Sequence, residues 1–482
     1  MIDSRSEVKE FFEKVQFSLT SSLVKFIFSL VLSLFLAFFP DYSDLSGQAQ
    51  MMLFILIFGA MLWISEAIPA FAVSLLIIGL EILLLGYYDT SFSTNSKEWE
   101  SYLAPWSSPL VFLFLAGFIL AAAASKTKLD LWIAKKVLFY VGNKPENIIT
   151  GLMGITFGLS MFVSNTATTA MMLTILIPIL KNINEDNPYQ KAILLGVVVA
   201  ANIGGMSTII GTPPNAIAVG MMGDSAPSFI GWMFFAMPPA IAITVGLRYL
   251  LLKMYPSNQE LISFKALRNI DHFDDSTTNF VKRPTVPSWK KTVVIIGFGI
   301  TILLWLTGPI HNIPTTVISF IPIVLFTLFG IINSDDIRAI RWDVIILIIG
   351  GLTLGLGVTK TGLDIWFATH LPQGLNSIFI LLIVFAYLVV FISNFMSNTA
   401  ASNIMLPIVI ALVSVFSADS VSLAAIAIAL SASFAMALPV STPPNAIVYS
   451  SGKLQSKDFL FIGIVIGLFG PIIVLTWLFL VI

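Results

Sequence analysis

The chain has 482 residues, 57% hydrophobic and only 11% charged, with a mean hydropathy of +0.94, which excludes an ordinary soluble domain and describes a polytopic membrane protein. Its 25 basic and 26 acidic residues leave a net charge of −1, so no global field points to nucleic acid. It has no cysteine, which excludes disulfides, thiolate metal sites and cysteine nucleophiles, and its three scattered histidines (His272, His311, His370) form no H-E-x-x-H pattern of a zinc hydrolase.

With about 20 residues per span, transmembrane helices are expected near 19–39, 50–66, 69–87, 107–125, 192–220, 229–252, 292–308, 313–332, 343–361, 421–450 and 458–481. The first apolar run is too long for a signal-peptide core and lacks a clear small-residue cleavage site, so it reads as a retained span. Two further apolar stretches, 146–180 and 373–411, carry a Ser-Asn-Thr in the middle. Each is either one long span or a hairpin that enters and leaves on the same side.

Loop charge decides between these options, because basic residues concentrate on the cytoplasmic side. With two hairpins and a cytoplasmic N-terminus, every basic residue except Lys97 and Lys360 falls on or near that side. These include Lys126, Lys128, Lys135, Lys136, the loop from Lys253 to Lys291, Arg338, Arg341, Lys453 and Lys457. A full span at 146–180 would put the basic loop outside. The expectation is therefore eleven spans and two re-entrant hairpins in an integral plasma (inner) membrane protein, its C-terminus outside.

The same count makes the hairpins open from opposite sides, as an inverted repeat does. The triplets Ser164-Asn165-Thr166 and Ser397-Asn398-Thr399 lie 233 positions apart, and the runs Thr212-Pro213-Pro214-Asn215-Ala216-Ile217 and Thr442-Pro443-Pro444-Asn445-Ala446-Ile447 lie 230 apart. The expected parts are N-terminal scaffold helices (1–145), first-repeat transport elements (146–254), a cytoplasmic linker (255–291) expected to form a surface helix or loop, second-repeat scaffold helices (292–372) and second-repeat transport elements (373–482).

Each Thr-Pro has the form of an N-cap followed by proline at the first helical position, where the missing N–H costs nothing. Each should break one helix in mid-membrane and start another, and each Ser-Asn-Thr should start the returning arm of its hairpin, with Asn165 and Asn398 acting as cap and ligand together. Four helix N-termini would then converge, each carrying roughly half a positive charge. Free N–H groups at such termini bind anions without lysine or arginine. This matches the sequence, because 151–180, 201–222, 373–418 and 431–452 contain no Asp, Glu, Lys, Arg or His. Such a site suits a small dianion held between the halves, and unwound carbonyls and hydroxyls beside the breaks suit a hard cation such as sodium. Taken singly, a Ser-Asn-Thr is ordinary interhelical glue and a Pro-Pro an ordinary kink; their ordered repetition argues for a site. Glu66, Lys360 and Asp364 sit near expected span ends.

At these residues, and at Trp63-Ile64-Ser65-Glu66-Ala67-Ile68-Pro69, the chain resembles the divalent anion/sodium symporter family over nearly its whole length. The resemblance implies an all-α, inverted-repeat, elevator-type secondary transporter acting as a homodimer. Its cargo would be dicarboxylates such as succinate, malate and fumarate, or 2-oxoglutarate or citrate. Carried over by motif, substrate would meet Asn165, Thr166, Thr212 and Pro213 from one half and Asn398, Thr399, Thr442 and Pro443 from the other. A first sodium would use Ser160, Ser164, Asn165 and the backbone at Gly211, and a second Ser393, Asn398 and the backbone at Met396 and Ser441. The family also contains sodium-independent exchangers, so symport and exchange both stay open. An intramembrane serine or metal enzyme would need a base or ligand cluster that the site segments lack, and an anion channel would fail to show saturable counterflow.

Overall fold

The computed structural model describes residues 4–42, 44–88, 98–262, 287–370, 377–414, 416 and 418–481. Most of the linker expected at 255–291 lies outside the described residues, as do Lys97, His272 and Lys282. Among the described residues the regular structure is entirely helical, and seven helices are long and apolar enough to cross a membrane.

Three helices open the chain: α1 (Ser4–Phe38), α2 (Gly47–Ser65) and α3 (Ala70–Leu84). A 3-10 segment (Glu98–Ser107) leads into α4 (Pro109–Lys126), which starts as sequence chemistry dictates, with Ser108 accepting from the Leu110 N–H and Pro109 at the first helical position. Helix α5 (Leu129–Val141) follows. The first repeat then continues as α6 (Pro145–Ser160), α7 (Asn165–Leu180), α8 (Tyr189–Gly205), α9 (Pro213–Met222) and α10 (Phe229–Met254). The second repeat comprises α11 (Ser288–Leu306), α12 (Thr315–Leu328), α13 (Trp342–Lys360), α14 (Leu363–Thr369), α15 (Ile378–Ser393), α16 (Asn398–Val413), α17 (Ala418–Ala432), α18 (Pro443–Tyr449) and α19 (Ser456–Val481).

The eleven expected spans are present as helices or interrupted helix pairs, and both expected hairpins form, as α6–α7 and α15–α16. Helices α5 and α14 occupy stretches with no expected element. Both are too short to satisfy a span criterion, and α5 carries Lys135 and Lys136, whose charges exclude it from an apolar run. Their matched places after α4 and α13 extend the internal repeat beyond the motifs.

The two central helices explain how the repeats hold together. All of α8 except Lys191 is buried, and α17 is buried from Leu423 to Ala432, so these two helices form the core and the others surround it. Hairpin α6–α7 packs on α8, and hairpin α15–α16 packs on α17. The returning arms cross over: α7 packs against α18 of the second repeat, and α16 against α9 of the first. Outward-facing Leu23, Phe28 and Val31 on α1, Ile296 and Leu303 on α11, and Val324 and Leu328 on α12 remain exposed, as lipid-facing surfaces require.

One polar cluster ties three helix ends of this core. The buried Asp458 carboxylate at the start of α19 accepts from Lys191 Nζ of α8 (3.0 Å), from the Tyr255 hydroxyl just after α10 (3.2 Å) and from the Gln455 N–H (2.8 Å). Burial, reinforced by the neighbouring Asp458 carboxylate, pushes the Tyr255 phenol up to about 12, so it stays a donor at neutral pH. Replacing Asp458 by Ala strands three donors, and an expected loss of about 1–3 kcal/mol is measurable as a lower thermal midpoint of detergent-solubilised protein. Asp458→Asn should fall between the two.

Candidate substrate and cation site

The hairpin tips are built alike. Helix α6 ends at Ser160, and Ser164, extended at φ −56° and ψ 140°, accepts from the Ala167 N–H at 3.2 Å to start α7. Helix α15 ends at Ser393, and Ser397 accepts from the Ala400 N–H at 3.2 Å to start α16. The caps are therefore the serines and not, as the sequence suggested, the asparagines. A short hydroxyl at the extended residue reaches the third helical N–H, which leaves Asn165 and Asn398 as first helical residues with free amides.

Those amides turn back to the outgoing arms. Ser160 Oγ donates to Asn165 Oδ1 at 2.6 Å and also lies 2.6 Å from the Ala201 carbonyl of α8. In the second repeat Ser393 Oγ lies 2.7 Å from Asn398 Oδ1 and 3.2 Å from the Ala432 carbonyl of α17. One hydroxyl proton faces two oxygen acceptors in each place, so each tip gathers more lone pairs than hydrogens. Neutral oxygens in excess of donors are what a hard monovalent cation needs.

The interruptions follow the Thr-Pro-Pro motifs. Thr212 (φ −149°, ψ 143°) and Thr442 (φ −139°, ψ 149°) are extended, and Pro213 and Pro443 are first helical residues. Thr442 Oγ1 accepts from the Asn445 N–H at 3.3 Å, whereas the Thr212 side chain makes no capping bond, a departure from the expected pair. The motif asparagines hold the unwound strands. Asn215 Nδ2 lies within hydrogen-bond distance of the carbonyls of Gly205 (3.3 Å), Met206 (3.1 Å) and Thr208 (2.7 Å), and Asn445 Nδ2 of those of Met436 (3.0 Å) and Leu438 (2.8 Å). Because the Thr442 hydroxyl proton goes to Asn445 Oδ1 (2.8 Å), Thr442 offers an anion the position of its helix start rather than an O–H.

All four helix starts line one cavity of about 1410 Å³. Its walls include Ser164, Asn165, Thr166, Gly211, Thr212 and Pro213 from the first repeat and Met396, Ser397, Asn398, Thr399, Ser441, Thr442 and Pro443 from the second. Ser160 and Ser393 lie fully buried behind Asn165 and Asn398. Charged groups also line it, at Glu66, Lys128, Asp130, Asp336, Arg341 and Asp343, all close to helix ends. Lys360 lies away from this cavity and donates to Ser101 Oγ at 2.5 Å, and Asp364 lines a separate cavity of about 400 Å³ between the 3-10 segment, α13 and α16.

Close approach of backbone shapes the first hairpin tip. A Cβ at Gly205 would lie 2.3 Å from Asn165 Oδ1, and one at Gly211 would lie 2.2 Å from the Gly205 carbonyl oxygen. Only glycines let the end of α8 approach Asn165, and the unwound strand approach the end of α8, this closely. At the corresponding place in the second repeat, Ser441 Oγ donates to the Asn394 carbonyl (3.0 Å) and accepts from the Leu438 N–H (3.1 Å), and Asn394 Oδ1 accepts from the Ala437 N–H (2.8 Å). Asn394, Asn202, Asn215 and Asn445 were not singled out by sequence reasoning. Their signal was available: each is an amide in a charge-free apolar segment, where it must find a partner.

A helical membrane protein with two helical hairpins, two interrupted helices and a shared polar cavity is a membrane transporter, not an enzyme. The chain belongs to the family described as the sodium:sulfate symporter transmembrane region, which it matches over residues 20–481. It is 31% identical to the sodium-dependent dicarboxylate transporter SdcS of Staphylococcus saprophyticus, over 91% of this chain and 87% of that protein. The protein of the same name from Staphylococcus aureus is also 31% identical, over 95% of this chain and 90% of its own. Among solved structures, MtrF of Neisseria gonorrhoeae superimposes with a TM-score of 0.56 at 11% identity, covering 86% of this chain and 95% of that one, and shares the fold alone.

Gly205→Ala should leave the protein folded while pushing Asn165 away from Ser160. The expected outcome is binding or uptake reduced at least about tenfold, the equivalent of one lost charge-assisted contact, checked by flux measurements at matched protein density.

Proposed function

We propose that this chain is a sodium-coupled symporter of C4-type dicarboxylates, succinate, malate and fumarate among them, that works by an elevator movement. The observation that carries the reading is the meeting of four helix starts and two hydroxyl–amide pairs around one cavity. Helix starts supply N–H groups to carboxylates without a fixed cation. The oxygen-rich pairs Ser160–Asn165 and Ser393–Asn398 would hold sodium, with Ser164 and the backbone of Gly211 completing the first site and the backbones of Met396 and Ser441 the second. Two bound cations offset a dianion held by segments that contain no lysine or arginine, which favours symport over exchange. The names of the staphylococcal relatives support both cargo and ion.

In this reading residues 146–254 and 373–482 form the moving unit, and 1–145 with 292–372 the scaffold, assembled as a homodimer. The crossed packing of α7 on α18 and α16 on α9 supports a single moving body. Charge bias assigns the N-terminus and the ring of Lys128, Asp336 and Arg341 to the cytoplasmic side and the C-terminus to the outside, so the large cavity is the inward vestibule.

Uptake of labelled succinate into proteoliposomes tests this. An inward sodium gradient should drive accumulation in empty vesicles, and replacing sodium by choline should remove it; uptake confined to vesicles preloaded with dicarboxylate would mean exchange instead, and none in either format would sink the proposal. Asn165→Ala and Asn398→Ala should each lower uptake roughly 30- to 100-fold with the protein still folded, since each loses about 2–3 kcal/mol of ligand contacts. Normal transport by Asn398→Ala would overturn the site assignment.

A further inference from the structure

One polar side chain in the core crosses between the repeats at the cavity. Asn202 is on α8, a helix buried almost throughout, where an amide is costly unless it is bonded. Its Nδ2 lies 3.2 Å from Thr442 Oγ1 and 3.3 Å from Asn445 Oδ1, both in the second repeat, and Asn202 itself lines the cavity. The direction of the bond is forced. Asn445 Nδ2 is committed to the Met436 and Leu438 carbonyls, so Oδ1 is the atom facing Asn202, and the Asn202 atom that meets it must be the donor.

The residue before it completes a clamp. The Ala201 carbonyl lies 2.6 Å from Ser160 Oγ, the hydroxyl that also meets Asn165. Two consecutive residues of α8 thus engage the first-repeat tip through the backbone and the second-repeat helix start through a side chain. The second repeat lacks an equal partner. Ala432 takes the Ser393 hydroxyl as Ala201 takes that of Ser160, and the residue after it is Ser433, whose buried hydroxyl has no hydrogen-bond partner. Asn215 Oδ1, the counterpart of the atom that Asn202 serves, also has none. The cross-brace exists in one direction only.

We propose that Asn202 is a positioning residue which fixes the separation between the Asn165 and Thr442 helix starts and so sets the length of dicarboxylate the site accepts; the inference rests on the transport reading above. The physical basis is geometric. Each half holds one carboxylate, and the spacing of the halves is the quantity that distinguishes a three-, four- or five-carbon chain. Without the brace the start of α18 loses its hydrogen bonds to α8, and a site whose two ends can shift discriminates less between ligands of different span. An amide acting only as interhelical glue would alter stability and affect every substrate alike.

The test is sodium-driven uptake by the full chain in proteoliposomes, with malonate, succinate, glutarate and adipate as labelled substrates or competitors. Asn202→Leu keeps the volume and removes the bonds. It should raise the KM for succinate about tenfold while moving that for glutarate less than about threefold and leaving the maximal rate within about threefold. Thr442→Val should reproduce this profile, Thr442→Ser should retain the wild-type one, and the Asn202→Leu/Thr442→Val double variant should show clearly less than the sum of the single effects, because the two changes have one bond in common. Where Asn202→Leu does not fold, Thr442→Val carries the test. An equal KM rise along the ladder, a fall in maximal rate with KM unchanged, additive effects in the double variant or a wild-type profile each overturn the proposal. Absence of any dicarboxylate uptake by the wild type overturns the transport reading, and this one with it.

Discussion

Backbone N–H and C=O groups inside a membrane have no water to turn to, and this one constraint organises the structure. Two helices are interrupted in the core, at 206–212 and 433–442, and every exposed carbonyl there needs a donor. The third residue after each of the two threonines supplies it: the amides of Asn215 and Asn445 reach back across the break to carbonyls that helix geometry has abandoned. Thr208 adds a bond to the Met161 carbonyl of the first hairpin, and Trp232 Nε1 of α10 donates to Met206 at 3.1 Å. With the carbonyls satisfied from behind, the first-turn N–H groups of the new helices are what remain for the cavity. The same bonds that make the break tolerable point the polarity of the site.

The two repeats solve this problem with different side chains. In the first, Gly205 and Gly211 bring backbone against backbone and set Gly205 directly against the Asn165 amide. In the second, Asn394 and Ser441 occupy comparable space with a hydrogen-bonded pair, and the Thr442 hydroxyl is enclosed by Asn445 and Asn202. An inverted duplication starts with equal halves, but a cargo entering from one side and leaving by the other does not require equal sites.

Residue types that are rare in lipid were legible at once. Prolines, amides and hydroxyls in apolar runs marked both hairpins and both interruptions, because each carries an energetic penalty that the chain must offset locally, and capping rules then located α7, α9, α16 and α18 to within a residue. The identity of each cap was not legible: a Ser-Asn-Thr allows any of three side chains to cap, and only backbone dihedrals select Ser164 and Ser397. Helices α5 and α14 were also missed, since they are short and lean on neighbours rather than on their own apolar length.

The sequence by itself determined the membrane class, the duplication and the four helix starts that line the cavity, because these depend on composition and on spacing along the chain. Only the tertiary structure decided which atoms pair across the repeats. That Asn202 meets Thr442, that Ser160 lies between Asn165 and Ala201, and that glycines rather than side chains separate the first tip from its unwound strand depend on helices 40 to 240 positions apart being packed to van der Waals contact. Such contacts are set by close packing in three dimensions, for which the order of residues along a chain carries no direct record.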